Sequence, residues 1–341
     1  MSRMPPTRLP LWAAGTTLLL SLAACGAGGY AQTPLSPTPT AAATTSAAPT
    51  TAAPTPAASK CNPVPAGFNP LQTYDPLPSL PASGALTGRL AEIRARGYLV
   101  AGVSADTLLM GARNPLTGQI EGFDIDLVHE IAKAILGDAA KVQLVVITAG
   151  QRQSFLVNRT VDIVVRNMTM NCARWLDWPI AFSAEYYHSG QKVLVRKGST
   201  ATSLDDLAAA KAKVCAPTGT TSLAKLQEFV AKGVVPVTAD THTGCLLHFQ
   251  QAKVDAITGD DTVLAGLATQ DPYAVVPAQT AITAEPYGVG FNSEDKVFVQ
   301  YVNRLLETTK ADGRWKASYD RWLAPSLGDA PTPPAAVYGR Q

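Results

Sequence analysis

The chain has 341 residues, with 28 basic against 26 acidic side chains and a formal net charge of +2 at pH 7. That balance gives no electrostatic footprint for nucleic acid or an anionic surface, and neither is expected as a partner. With the N-terminal segments set aside, about 250–260 residues remain, enough for two lobes with separate cores.

Residues 1–25 read as an export signal. Arg3 and Arg8 give a basic start, and Leu9–Leu20 is an apolar run too short to span a bilayer comfortably. The segment ends Leu22-Ala23-Ala24-Cys25-Gly26, which resembles a bacterial lipobox. That resemblance implies a Cys25 diacylated on its sulfur, attached to the outer face of the cell membrane through that lipid only. Residues 26–60 are nearly all Ala, Thr, Pro, Ser and Gly. Such a stretch has too little apolar bulk to offset its ordering entropy and is expected to be a disordered tether. At roughly 3 Å per residue it would reach on the order of 100 Å. Its Thr and Pro content also suits O-glycosylation. Beyond Cys25 stand Cys61, Cys172, Cys215 and Cys245. An even number in an exported chain predicts two disulfides, with three connectivities open. The long spacings and the lack of a CxxC or HxxxH pair argue against zinc.

The elements follow in order. Leu86–Arg96 has helical spacing and stops at Gly97, and Tyr98–Val103 reads as a buried strand. After the turn Asn114–Gly118, Gly122–Leu127 (GFDIDL) leads into a helix whose buried stripe is Leu127, Val128, Ile131 and Ile135. Asp124 and Asp126 are expected to cap and charge its positive end. Val142–Thr148 is a strand, Gln151–Asn158 a short helix, and Val161–Val165 a β-branched strand. This last run ends in the polar loop Arg166-Asn167-Met168-Thr169, and the next helical turn offers Arg174. A strand tip, free amide donors and a guanidinium fork together make a carboxylate site. The chain then turns extended and aromatic over Ala181–Tyr187 and breaks at Ser189-Gly190.

In the second half, Lys192–Arg196 is a strand and Ser203–Ala210 a helix. Val214–Ser222 reads strand then Gly/Thr loop, running into the helix Leu223–Ala231, an anion-binding arrangement of free amides that is not a P-loop. Val234–Thr238 is a strand and Cys245–Lys253 a helix. A further strand ends at Asp260-Asp261 before the helix Thr262–Thr269. Glu294–Lys310 is helical, and Trp315, Tyr319 and Trp322 share one packing face of the last helix. The Pro-rich tail, 326–341, is expected at the periphery. Alternating strands and helices predict an α/β class with largely parallel sheets.

Three motifs recur in family order: GFDIDL, then Asn167-Met168-Thr169-Met170-Asn171-Cys172-Ala173-Arg174, then Phe182-Ser183-Ala184-Glu185-Tyr186-Tyr187-His188-Ser189-Gly190. Together they resemble the polar amino-acid-binding family of bacterial extracellular solute-binding proteins, the receptors of ABC importers, over about Leu86 to Leu323. The resemblance implies a two-lobed periplasmic-binding-protein clam-shell with two hinge crossovers, near residues 186 and 281. Lobe 1 would be 61–185 and 282–325, with Glu285–Phe291 as its return strand, and lobe 2 would be 186–281. Cys215 and Cys245 then fall in one lobe and are paired, which leaves Cys61 with Cys172.

For the ligand, the resemblance implies a carboxylate clamp from Arg174, Thr169 and Asn167. Thr220 and Thr221 would touch it from lobe 2, and Asp260 would accept from its ammonium. Arg166 beside the anion loop favours an acidic or amide amino acid: glutamate, aspartate, asparagine or glutamine. The chain departs from the family where an Asp and two aromatics are usual, at Ser104, Met110 and Ala112. Met110 is read as apolar lining or core, and Asp106 either replaces the missing acid or occupies a surface turn. The expected function is capture of a polar amino acid by hinge closure and delivery to an ABC permease. A receptor for a membrane sensor is the alternative. An enzyme on the same fold, a dehydratase or lyase, would need a constellation that the scattered His129, His188, His242 and His248 do not form. No cofactor or metal is expected, and a monomer is.

Overall fold

The computed structural model describes residues 59–81 and 85–341; the export signal, Cys25 and the tether up to residue 58 lie outside the described residues. Helix α1 (Gly88–Arg96) leads into β1 (Leu99–Val103), a strand buried along its whole length, as an unbroken apolar run requires. A small antiparallel meander follows, β2 (Asp106–Thr107), β3 (Gly111–Arg113) and β4 (Ile120–Glu121), then α2 (Phe123–Leu136) and β5 (Val142–Val146). Next come α3 (Arg152–Val157), β6 (Ile163–Val164), α4 (Cys172–Leu176) and β7 (Ile180–Phe182). The predicted strand at 161–165 is thus pared to the two residues that pair with β1, because the chain peels away to form the polar loop.

The long strand β8 (Tyr187–Arg196) carries the chain into a second sheet. There α5 (Leu204–Ala209), β9 (Lys213–Pro217), α6 (Thr221–Glu228), β10 (Val235–Ala239), α7 (His242–Gln250), β11 (Ala256–Asp260), α8 (Asp261–Gln270) and β12 (Ala274–Val275) follow. The return runs through β13 (Ala284–Tyr287) and β14 (Gly290–Asn292) to α9 (Lys296–Ala311), α10 (Arg314–Trp322) and α11 (Ala324–Leu327). The first sheet has the order β5-β1-β6-β14-β7, the second β10-β9-β11-β8-β12. In the first, β1 is parallel to β5 and β6; in the second, β9 is parallel to β10 and β11. The returning β14 and the entering β8 are antiparallel to their neighbours.

The two crossing segments pair with each other. β13 runs antiparallel to β8 with Tyr287 opposite Tyr187 and Ala284 opposite Gly190, so the hinge is a two-stranded ladder. Alternation sorts the second core: Val193 and Val195 of β8 pack with Leu204, Leu207 and Leu226, whereas Leu194 faces Phe249 and Leu264. Disulfides join Cys215 to Cys245, fixing α7 to its sheet, and Cys61 to Cys172, fixing the N-terminal segment to α4.

The tail is not peripheral. Val337 bridges Gln72, and the Arg340 guanidinium lies 3.8 Å over the Trp175 ring, whose Nε1 donates to the Pro70 carbonyl at 2.9 Å. The segment holding Pro70, Gln72 and Thr73 and the C-terminal tail thereby cover the side of the first lobe next to β7, where the sheet would otherwise present an open edge.

Asp124 also departs from its expected capping role. The N-cap of α2 is Gly122, with no side-chain cap, while Asp124 is buried and accepts from the Tyr186 hydroxyl (2.7 Å) and the Asn167 amide (2.8 Å). The first turn of this helix faces the core, so the carboxylate secures the polar loop instead of meeting solvent. Asp126 accepts from Ser318 (2.7 Å) and Trp322 (2.8 Å), tying α2 to α10.

Burial pushes the Asp124 carboxyl up to about 6, despite its two hydrogen bonds and the Arg166 charge. The native carboxyl then holds its proton at a pH where the unfolded chain has lost it. Its stabilising contribution is fully present below about pH 4 and disappears as pH rises through 6, a change of about 3 kcal/mol. Urea titrations of the ligand-free protein should find that Asp124→Asn flattens this part of the pH–stability curve. An unaltered curve in the variant would assign the dependence to other groups.

Candidate functional site

The polar clusters gather at the carboxyl ends of the parallel strands, where loops of open α/β sheets leave amides and side chains free for a ligand. From the first lobe come Ser104 and Asp106 after β1, Arg152 at the start of α3, the loop Arg166–Thr169 after β6, and Arg174 on α4. The second lobe supplies Gly219–Thr221 before α6, His242 and Thr243 opening α7, and Asp260 ending β11.

Three guanidinium groups are buried here, those of Arg152, Arg166 and Arg174, at 2%, 3% and 4% exposure. Among the described residues none of them forms an ion pair. They are held by carbonyl oxygens instead. Arg174 donates to Thr169 O (2.7 Å), Arg166 to Ile147 O (2.8 Å), and Arg152 to Ala149 O and Gly219 O (both 2.9 Å). Carbonyls orient the forks without cancelling their charge. Burial lowers the pKa of all three, to about 10 for Arg174; a guanidinium is the side chain that keeps its charge most firmly when buried.

The carboxylates of the site are engaged mainly by hydroxyls. Asp260 is 5% exposed; its Oδ2 accepts from Tyr287 at 2.6 Å, and its buried Oδ1 has no partner among the described residues. Burial and the neighbouring Glu285 push its carboxyl well above the ordinary range. Glu285, in the hinge strand β13, accepts on one oxygen from Thr169 (2.6 Å) and Thr221 (2.7 Å), hydroxyls of opposite lobes, and on the other from Thr283 (2.6 Å). Asp106 accepts from Ser104 (2.8 Å) and, across the lobes, from Thr243.

Asn167 is in the left-handed region (φ 36°), a conformation Asn tolerates and that often marks functional loops. Its amide points to Asp124, and its buried Oδ1 is unpartnered among the described residues. The lobes meet backbone to backbone at Gly219 (φ 72°), where a Cβ would lie 2.6 Å from the Gly150 Cα. Only glycine allows the Arg152–Gly219 bond at that distance. Beside this cluster, and sharing Thr169, Thr221 and Glu285 with it, a cavity of about 520 Å³ opens between the lobes, lined also by Phe68, His188 and Lys225.

The structure thus brings together Arg166, Asn167, Thr169, Arg174, Thr221 and Asp260. Thr220 does not join them. Its hydroxyl caps α6 by accepting from the Leu223 amide (3.1 Å) and donates to Pro217 O (2.7 Å), so both functions are spent on the turn. Met110 is fully buried in the first lobe's core, its carbonyl accepting from the Asp124 amide. Of the two readings of Asp106, the surface turn is set aside by its bond to the second lobe. Sequence reading missed Arg152, Glu285 and His242. The first two carried a usable signal, an Arg opening a short helix after a strand and a Glu at the head of the return strand Glu285–Phe291, to which the sequence alone gives no site role. Among the described residues, no group of three or more His, Cys, Asp or Glu side chains is placed to hold a metal ion.

Comparison with known proteins agrees with this architecture. The ABC transporter glutamine-binding protein GlnH of Bacillus subtilis (strain 168) is 33% identical over 234 residues, covering 69% of this chain and 84% of the relative. The glutamate-binding protein GluB of Corynebacterium efficiens is 29% identical over 71% of this chain and 82% of its own. Among solved structures, an ancestral arginine-binding protein bound to glutamine has 29% identity and a TM-score of 0.62, covering 69% of this chain and 99% of that one. These relatives are named as binding proteins, not enzymes. The family model for bacterial extracellular solute-binding proteins, family 3, matches residues 99–325, and the chain belongs to that family.

Proposed function

We propose that this protein captures an acidic or amide amino acid outside the cell membrane, held there by a lipid on Cys25, and delivers it to an ABC permease. The observation that carries the ligand class is the set of three buried guanidiniums that, among the described residues, form no ion pair, opposite an Asp260 oxygen with no donor there. A zwitterion fits that field: its α-carboxylate meets Arg174 and the Thr169 loop, and its ammonium meets Asp260. Arg152 and Arg166 leave positive charge for a second carboxylate or an amide oxygen. Glutamine and glutamate in the names of the relatives support the same class. Binding and release, with no chemical step, complete the cycle, the lobes closing about the β8–β13 ladder.

A thermal-shift panel of amino acids, on protein freed of carried-over ligand, tests this directly. A true ligand at 100 times its Kd should add about 2.7 kcal/mol, or roughly 5–10 °C in Tm. Arg174→Ala should remove that shift, and a panel without any response would reject the reading.

The Asp260 carboxyl adds a pH signature. Its pKa is raised, and a bound ammonium favours its ionised form, so below that pKa binding must release a proton. Calorimetry from about pH 8 to about pH 5 should show affinity falling, by up to about tenfold per unit, and Asp260→Asn should weaken binding and flatten the profile. A profile equally steep in the variant would assign the proton elsewhere. For the anchor, Cys25→Ala should move the protein from the membrane fraction to the soluble one; retention on the membrane would rule out the Cys25 lipid.

A further inference from the structure

The five-residue helix α4 is too short to hold itself, since an isolated helix needs on the order of 12–15 residues to be even marginally stable in water. Three positions in and beside it are held from outside, by segments that flank the family-matched residues 99–325. Cys172 is bonded to Cys61, and Asp177 accepts from the Ser59 hydroxyl (2.6 Å) and the Lys60 amide (2.7 Å). Trp175, 8% exposed, donates from Nε1 to Pro70 O (2.9 Å) and carries the Arg340 guanidinium 3.8 Å over its ring. Arg340 donates from Nε to Gln72 O (2.6 Å), from Nη2 to Asn69 O (3.0 Å) and from its amide to Thr73 O (3.0 Å). One side chain thus ties the tail, the N-terminal segment and α4 together. Cys172 and Trp175 stand three residues apart, on one face of the turn, and Arg174 leaves the turn from another. Fixing that face fixes the direction in which the Arg174 guanidinium is offered, with Thr169 O at 2.7 Å and the Trp178 ring 5.5 Å away.

We infer that these two terminal segments form a clasp on α4, and that Arg340 is a positioning residue that sets affinity for every amino acid through Arg174. The inference rests on the amino-acid reading above, in which Arg174 meets the α-carboxylate. Among the described residues, the Arg340 side chain bonds and stacks only with the N-terminal segment and Trp175, so its influence on the cleft has to pass through α4. A guanidinium fixed before binding loses little freedom when a carboxylate arrives, and such pre-organisation appears as affinity. Every amino acid carries that carboxylate. The clasp therefore scales all affinities together and leaves the preference between side chains untouched. A segment that only stabilised the lobe would raise its melting point and leave affinity well below that temperature unchanged.

The test is calorimetric titration of the full chain with glutamate, glutamine, aspartate and asparagine, well below the thermal midpoint of each variant. Arg340→Ala should weaken every ligand that the wild type binds by the same factor, about fivefold or more, as for groups coupled through one network. Arg340→Lys keeps a cation able to lie over the Trp175 ring and should recover part of the loss. Cys61→Ser combined with Cys172→Ser releases the other end of the clasp and should show the same even weakening. In an Arg174→Lys background, titrated with ligand at up to tens of millimolar, Arg340→Ala should cost clearly less than in the wild type. Unchanged affinities with a lowered midpoint would make the clasp a stabiliser of the first lobe only. Uneven losses among the ligands, or an undiminished loss in the Arg174→Lys background, would place its action elsewhere. Each of these results overturns the inference and leaves the binding function intact. If the wild type binds none of the four, the amino-acid reading itself falls, and this inference with it.

Discussion

The constraint on which the site depends is positive charge buried without a direct ion pair among the described residues. Arg152, Arg166 and Arg174 sit where water cannot screen them, and their fixed partners are backbone carbonyls. Burying a cation is costly unless an anion completes the environment. The local acids do so only at a distance, since their short contacts are with hydroxyls and amides: Asp124 with Tyr186 and Asn167, Asp260 with Tyr287, Glu285 with three threonines. Hydroxyl donors keep those carboxylates in place without neutralising the guanidiniums. The result is a cleft in which cationic and anionic groups stand close together without pairing directly.

The rest of the fold keeps that arrangement rigid within each lobe and adjustable between them. Within a lobe, parallel strands deliver the loops to one end, and the bond from the Asn167 amide to Asp124 ties the anion loop to α2. Between lobes, the main link is the β8–β13 ladder. Glu285 stands on that ladder and shares one oxygen between Thr169 and Thr221, so a rotation that separates the lobes must break at least one of these bonds. The Arg152–Gly219 and Asp106–Thr243 bonds are subject to the same rule. A ligand shifts such an equilibrium only by the difference in its affinity for the two arrangements. Polar groups contributed by both lobes supply that difference.

The N-terminal segment from Ser59 and the C-terminal tail reinforce the first lobe, while α11 also packs against α8 of the second. The Cys61–Cys172 disulfide, the Ser59 and Lys60 contacts to Asp177, and the Arg340 stack on Trp175 all converge on α4, which bears Arg174. The N-terminal segment is thereby fixed to the lobe that bears Arg174.

Much of this was legible in the sequence because it is local. A β-branched run followed by a polar loop and an arginine one helical turn on specifies a strand tip with donors, and Arg174, Thr169 and Asn167 are found there. Strand–helix alternation specified the parallel sheets, and the even cysteine count specified two disulfides. Other roles depended on which face of an element met the other lobe, and short elements carry no periodicity to reveal that. Asp124 reads as a helix-charging residue until the core is seen to close over it. Thr220 and Thr221 are identical in sequence terms, yet a rotation of one residue at the helix start sends one hydroxyl to the cap and the other to Glu285. Arg152 and Glu285 acquire meaning only when segments far apart in the chain are brought within a few ångströms. The sequence by itself determined the elements and the polar loop after β6; tertiary packing decided which buried charges lack a direct ion pair among the described residues, because that depends on distances between lobes that no local pattern encodes.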